Sequence, residues 1–107
     1  MKYTVEVTVH KSCDEVWKIF SEKGMVTTVT ESLPGKLIVG ELPVRGSKSL
    51  ARVSFIPRTK NLTTIRAEKD FRFGAIKEFI MAFLKPSFVK QSRSDFEQFK
   101  QYAEAQS

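Results

Sequence analysis

The chain has 107 residues, a net charge of +6 and a single cysteine. This length predicts one domain, residues 1–107, because it leaves no room for two hydrophobic cores. No apolar run approaches the ~18 residues of a membrane-spanning helix, and one cysteine excludes an internal disulfide. The N-terminus alternates polar and apolar residues where a signal peptide would be apolar throughout, so we expect a cytoplasmic protein.

The first two predicted elements are a strand and a short helix. Residues 3–9 alternate apolar, mostly β-branched, and polar side chains, as half-buried strands do. Ser12 and Glu15 have the spacing of a capping box at the start of a helix. Gly24 follows at a position where a helix can end. The apolar face of this helix comprises Cys13, Val16, Trp17 and Phe20.

The middle of the chain, residues 26–73, has the composition of short strands. A β-branched run predicts a strand at 26–30, and Pro34-Gly35 predicts a turn before a short strand that ends near Gly40. After a second turn at 45–47, strands are predicted at 50–56 and 62–71, with a five-residue hairpin loop at 57–61. Hairpins in succession imply an antiparallel sheet.

On the last of these strands, one residue departs from the apolar pattern. Thr63, Ile65, Ala67 and Phe71 share one face with period two, and Lys69 occupies the same face as the exception.

A long helix is predicted from Gly74 to about Glu104. Its two halves carry separate apolar stripes. The first comprises Ile76, Phe79, Ile80, Phe83 and Leu84, and the second Val89, Ser92, Phe96, Phe99 and Ala103. Pro86 removes one helical hydrogen bond between the halves, which predicts a kink. We expect the helix to pack across the sheet, because neither apolar face can stay in water.

Residue types that could support catalysis are present, but they do not form a catalytic pattern. His10 and Cys13 could form a nucleophilic pair, yet a cysteine on an apolar helix face is usually an inert buried thiol. One histidine and one cysteine cannot supply a structural zinc site, and no cofactor is predicted. The carboxylates considered as candidates for acid–base catalysis show no arrangement that would raise a pKa. These are Asp14, Glu15, Glu68, Asp70 and Glu78.

The charge and the aromatic content suggest partners only weakly. The basic residues are spread along the chain and interleaved with acids, which favours a solvated surface over binding to nucleic acid or to an anionic membrane surface. The many phenylalanines could line a pocket for an apolar ligand, although in so short a chain they are first of all core material.

Three segments, at the two ends of the chain, resemble a known superfamily. Val7–Trp17, where a strand leads into an acidic helix containing Val16-Trp17, resembles the opening of the START/polyketide-cyclase superfamily. Pro86–Val89 and Asp95–Lys100 are similar to its closing helix. The resemblance implies an α+β helix-grip fold, in which a curved antiparallel sheet, here of four to five strands, grips a long kinked helix. Members bind lipids, sterols, polyketides or hormones, and some cyclise polyketides.

The resulting functional prediction is a binding module for a small apolar or amphipathic ligand. The alternatives are a protein-interaction or homodimerisation module and a polyketide cyclase/dehydratase-like enzyme. The predicted groove lies between the sheet and the first half of the long helix. Its predicted ligand-binding residues are Trp17, Phe20, Val53, Phe55, Ile65, Ile76, Phe79, Ile80 and Phe83. The stretch from Phe20 to Leu50 is shorter than in full-size members, which argues against a large closed pocket.

Overall fold

The computed structural model describes residues 1–44, 47–71 and 75–106, apart from the side chains at 44, 47 and 75–79. It has the predicted α+β class, with five antiparallel strands, a short helix and a long C-terminal helix. The elements are β1 (Lys2–Val9), α1 (Cys13–Lys23), β2 (Thr27–Leu33), β3 (Leu37–Val44), β4 (Ser47–Thr59), β5 (Leu62–Asp70) and α2 (Ala75–Glu104). The predicted turn residues 45–46 and the predicted helix start at Gly74 lie outside the described residues.

The strands form one open sheet in the order β1-β5-β4-β3-β2. Several predicted strand bounds are wrong: β2 runs to Leu33 where residue 30 was predicted, and β4 begins at Ser47 where Leu50 was predicted. Strand β3 continues through Gly40 to Val44, and β4 and β5 stay paired as far as Thr59 and Leu62, so no five-residue loop exists. Pro57 does not end its strand, because it lies at a register irregularity, where a missing amide is tolerated.

Helix α1 begins and ends as predicted. The Ser12 hydroxyl accepts a hydrogen bond from the amide of Glu15 at 3.3 Å and donates one to the Glu15 carboxylate at 3.0 Å. Gly24 ends the helix in the left-handed conformation, with φ of 68°, which glycine adopts at little cost. Val16 and Phe20 are buried against the sheet, whereas Trp17 is half-buried.

The core beneath α2 is filled by aromatic rings. The ring centroid of Phe20 lies 5.5 Å from that of Phe55, 6.2 Å from Phe96 and 5.2 Å from Phe99. Ser92, Phe96, Phe99 and Ala103 are all buried, which confirms the predicted stripe on the second half of α2. These rings occupy the space between helix and sheet that the helix-grip resemblance would assign to a ligand.

The first half of α2 does not pack as predicted. Ile80, Phe83 and Leu84 are 53%, 75% and 46% exposed. Phe83 and Phe99 are sixteen residues apart, and at 3.6 residues per turn their directions differ by about 160°. Because the helix continues through Pro86, the second half cannot face the sheet without turning the first stripe away. The side chains of Ile76 and Phe79 lie outside the described residues, and the kink stays a prediction.

Candidate functional site: an apolar cleft beside the first helix

A small cleft opens between α1 and the β2–β3 hairpin. Its volume is about 190 Å³, and apolar side chains dominate its walls. An apolar cavity of ~150 Å³ is large enough for benzene, whereas pockets for drug-sized ligands begin near ~300 Å³. The cleft therefore suits a compact molecule of one or two rings. It is lined by Trp17, Phe20, Ser21, Gly24, Val26, Val29, Ser32 and Ile38.

An irregularity in β2 shapes the outer wall of this cleft. Thr27 pairs with Glu41 and Glu31 pairs with Val39, so four steps along β2 match only two along β3. A bulge with two extra residues results, and bulges bend a strand and redirect its side chains. The Thr27 and Thr30 hydroxyls donate to the carbonyls of Glu41 and Val39, both at 3.3 Å. These bonds hold the bulged segment against β3.

The bulge depends on two unusual backbone positions. Thr28 has φ of 47°, in the left-handed region that a β-branched residue rarely adopts. Gly40 lies beneath the bulge, where a Cβ atom would come within 2.6 Å of Val26 Cγ1 and 2.8 Å of the Thr28 carbonyl oxygen. A glycine inside a strand often marks such a close approach. Strain of this kind persists only where the surrounding structure enforces it.

The polar groups of the cleft favour binding over acid–base chemistry. The Trp17 indole donates to the carbonyl of Leu37 at 3.4 Å, which orients the ring. Ser21 and Ser32 contribute hydroxyls, and the described lining includes no ionisable side chain. A ligand would thus meet aromatic and aliphatic walls and two neutral hydrogen-bonding groups.

The predicted ligand-binding residues fall into three environments. Trp17 and Phe20 line the cleft, and Ile80 and Phe83 are exposed on α2. Val53, Phe55 and Ile65 are buried in the core at 4% exposure or less. Phe20 also contacts Phe55, and the side chains of Ile76 and Phe79 lie outside the described residues. The role of all nine residues as ligand contacts stays a prediction.

A second feature is a buried polar cluster where α2 crosses β1 and β5. Lys69 is 2% exposed, and its ammonium donates to the Ser92 hydroxyl at 2.8 Å. The hydroxyls of Tyr3 and Ser92 also lie 2.8 Å apart. The Lys69 nitrogen is 5.4 Å from the ring centroid of Phe96, within range of a cation–π interaction. The cluster fixes the middle of α2 to the sheet.

Burial dominates the electrostatics of this cluster. It lowers the pKa of Lys69 to about 8, and the negative charge of Asp95 opposes the shift only in part. Burial likewise raises the pKa of Tyr3, although the hydrogen bond to Ser92 acts in the other direction. Desolvation disfavours the charged form of each group. Lys69 therefore changes charge within an accessible pH range, yet it does not line the cleft.

The pair of His10 and Cys13 considered from the sequence is not formed. His10 Nδ1 lies 2.8 Å from Glu104 Oε2, and the His10 amide donates to the same oxygen at 2.9 Å. These contacts lower the pKa of Glu104. The Cys13 thiol instead accepts from the Thr63 hydroxyl at 3.5 Å. In the described ranges, no three His, Cys, Asp or Glu side chains are grouped to hold a metal ion.

The sequence carries signals for the features that its motifs did not predict. In the alternating pattern of β5, Lys69 lies at an inward-facing position, and this position alone indicates a buried amine. Gly40, which suggested a strand end, marks a close approach inside a strand. Arg52 and Arg66 are exposed, because they alternate with the inward-facing residues of β4 and β5. The bulge at Thr28 has no comparable signal, because it arises from the pairing of two strands.

Comparison with known proteins supports the fold assignment. No family model and no curated protein matches the chain. Among solved structures, it is similar to the di-domain ARO/CYC StfQ from the steffimycin biosynthetic pathway, with a TM-score of 0.58 and 13% identity. The match covers 96% of this chain and 50% of that protein, so the chain spans about half its length. At this identity the likeness shows the fold alone, and that fold is the helix-grip arrangement.

Proposed function

We propose that the protein binds a compact, mostly apolar small molecule in the cleft between α1 and the β2–β3 hairpin. The observation that carries the proposal is the strained wall of this cleft. Thr28 is held in an unfavourable backbone conformation over Gly40, and such strain is concentrated at functional sites. The likeness to an ARO/CYC protein of a biosynthetic pathway supports a small-molecule ligand.

The expected ligand class is one or two rings with a single hydrogen-bonding group. The volume of about 190 Å³ sets the size, and the Ser21 and Ser32 hydroxyls set the polar group. We favour binding over a cyclase-like reaction, because acid–base catalysis needs an ionisable group within reach of the ligand and the described lining has none. Occupation of the space beneath α2 by aromatic rings is the reason for placing the ligand beside α1.

The test uses Trp17, the only tryptophan of the chain, as a reporter inside the cleft. The probe is 4-bromobenzyl alcohol, whose bromine quenches indole fluorescence and whose hydroxyl can meet the serines. We expect saturable quenching with a Kd of roughly 0.1–1 mM, as ligand efficiency implies for about nine heavy atoms. Quenching that stays linear with probe concentration reflects collisions alone and would contradict the proposal.

A matched pair of variants separates the cleft from the rest of β2. Val29 and Leu33 lie on the same strand and are 53% and 46% exposed, but only Val29 lines the cleft. Val29→Phe fills the space, so we expect probe affinity to fall about tenfold or more, the effect of losing ~1.4 kcal/mol. Leu33→Phe is expected to leave affinity unchanged. Equal effects of the two substitutions would count against the cleft.

A further inference from the structure

The first half of α2 presents an apolar surface away from the sheet. Ile80, Phe83 and Leu84 are all about half exposed or more, and they lie within one and a half turns of one helix. Met81 is half-buried and packs against the core, and the fully buried residues among those described in α2 begin further along, at Phe88. Ile80, Phe83 and Leu84 therefore form an exposed apolar patch next to a residue that faces the core.

Within residues 80–94 the charges have one sign, although Glu78 and Asp95 flank this range. The fifteen residues 80–94 contain Lys85, Lys90 and Arg93 but no aspartate or glutamate. These three cations are exposed and surround Pro86 on the neighbouring face of the helix. The whole chain carries a net charge of +6. A helix segment with exposed phenylalanine and leucine beside lysine and arginine has the composition of an interfacial, membrane-surface helix.

We propose that residues 80–93 of α2 dock on the surface of an anionic lipid bilayer. Ile80, Phe83 and Leu84 enter the headgroup–acyl boundary, and Lys85, Lys90 and Arg93 meet the lipid phosphates and carboxylates. The contact is with the surface only, because no helix among the described residues is long and apolar enough to cross a membrane.

Charge and shape favour a bilayer over a second copy of the chain. Two copies joined through this surface would bring three cations against three others, with no carboxylate in residues 80–94 to compensate. A stable protein interface also needs about 800 Å² from each partner and a complementary shape. Three side chains on one convex helix ridge do not provide that area. A bilayer needs no complementary shape, and its anionic lipids supply the missing negative charge.

The test is flotation of the full chain with vesicles of phosphatidylcholine alone and of phosphatidylcholine with 30% phosphatidylserine. We expect binding to the anionic vesicles at least tenfold tighter than to the neutral ones, with most of it lost at 0.5 M salt. Equal binding to the two vesicle types, or no binding to either, would overturn the proposal.

Matched variants locate the contact on the molecule. Ile80 is 53% exposed on α2 and Leu50 is 50% exposed on β4. Ile80→Ser is expected to weaken anionic-vesicle binding at least fivefold, and Leu50→Ser to leave it unchanged. Lys90→Glu is expected to weaken anionic-vesicle binding more than fivefold. Lys60→Glu, in the β4–β5 turn, changes the net charge by the same amount and is expected to weaken this binding less. Circular dichroism checks that each variant is folded.

The competing occupant gives a different result. If a second copy covers this surface, light scattering shows a dimer that Ile80→Ser dissociates, and vesicle binding does not respond to that substitution. That result would overturn membrane docking while leaving the cleft proposal standing, because the two surfaces share no residue.

Discussion

Lys69 has surroundings that are unusual for a lysine, since its amine is buried near the rings of Tyr3 and Phe96. Its pKa is about 8 in the folded protein and near ~10.4 in the unfolded chain. Below pH 8 both states hold the proton, and the folded state bears a desolvation cost of about 3 kcal/mol. Between pH 8 and about 10 the folded state releases its proton first. Stability is therefore expected to rise with pH in this window.

Lys69→Met is expected to raise the free energy of unfolding by roughly 1–3 kcal/mol at pH 7 and to flatten the rise above pH 8. Ser92 keeps its hydrogen bond to Tyr3. Urea unfolding at half-unit steps from pH 7 to 9.5 measures both effects and stops before Tyr3 ionises in the unfolded chain near ~10. Lys2→Met, an exposed lysine one residue from Tyr3, is the control. A wild-type stability independent of pH in this window would contradict this account of Lys69.

At the scale of elements, the β2–β3 hairpin is expected to be the most sensitive to small changes. Gly40→Ala places a Cβ atom 2.6 Å from Val26 Cγ1 and within 3 Å of two β2 carbonyl oxygens. Because backbone atoms cannot move aside cheaply, we expect a loss of about 2 kcal/mol or more in the free energy of unfolding. At position 28, where φ is positive, glycine lacks the side chain that disfavours this conformation. Thr28→Gly is therefore expected to stabilise the hairpin by up to about 1 kcal/mol. Urea unfolding midpoints test both expectations. If the two substitutions shift the midpoint in the same direction, the result would contradict the bulge.

The long helix shows what a sequence pattern can and cannot predict. Each apolar stripe of α2 was visible from its spacing, and the second is buried as expected. Their relative direction follows from the separation of sixteen positions from Phe83 to Phe99, but which stripe meets the sheet depends on tertiary packing. Ring contacts of Phe96 and Phe99 with Phe20 decide it in favour of the second half. Of the first stripe, Ile80, Phe83 and Leu84 are exposed.

At the scale of the whole molecule, the fold was more predictable than the site. Strand alternation, the Ser12 cap and the helical spacing are local signals, and together they define an α+β helix-grip arrangement. The cleft instead requires Trp17, Val29 and Ile38 to meet. These residues lie on three elements, and the register of β2 on β3 sets their distance. Periodicity carries no information on that register slip, so the sequence did not indicate this cleft.

We propose that a small ligand binds beside α1 and leaves the aromatic core beneath α2 intact. Chemical-shift mapping of the ¹⁵N-labelled protein with benzyl alcohol tests this most directly. We predict saturable shifts for the Trp17 indole and for the amides of Gly24, Val29 and Ile38, all of which lie at the cleft. Saturable shifts centred on Phe96 and Phe99, or on Ile80 and Leu84, with none at the cleft would contradict it.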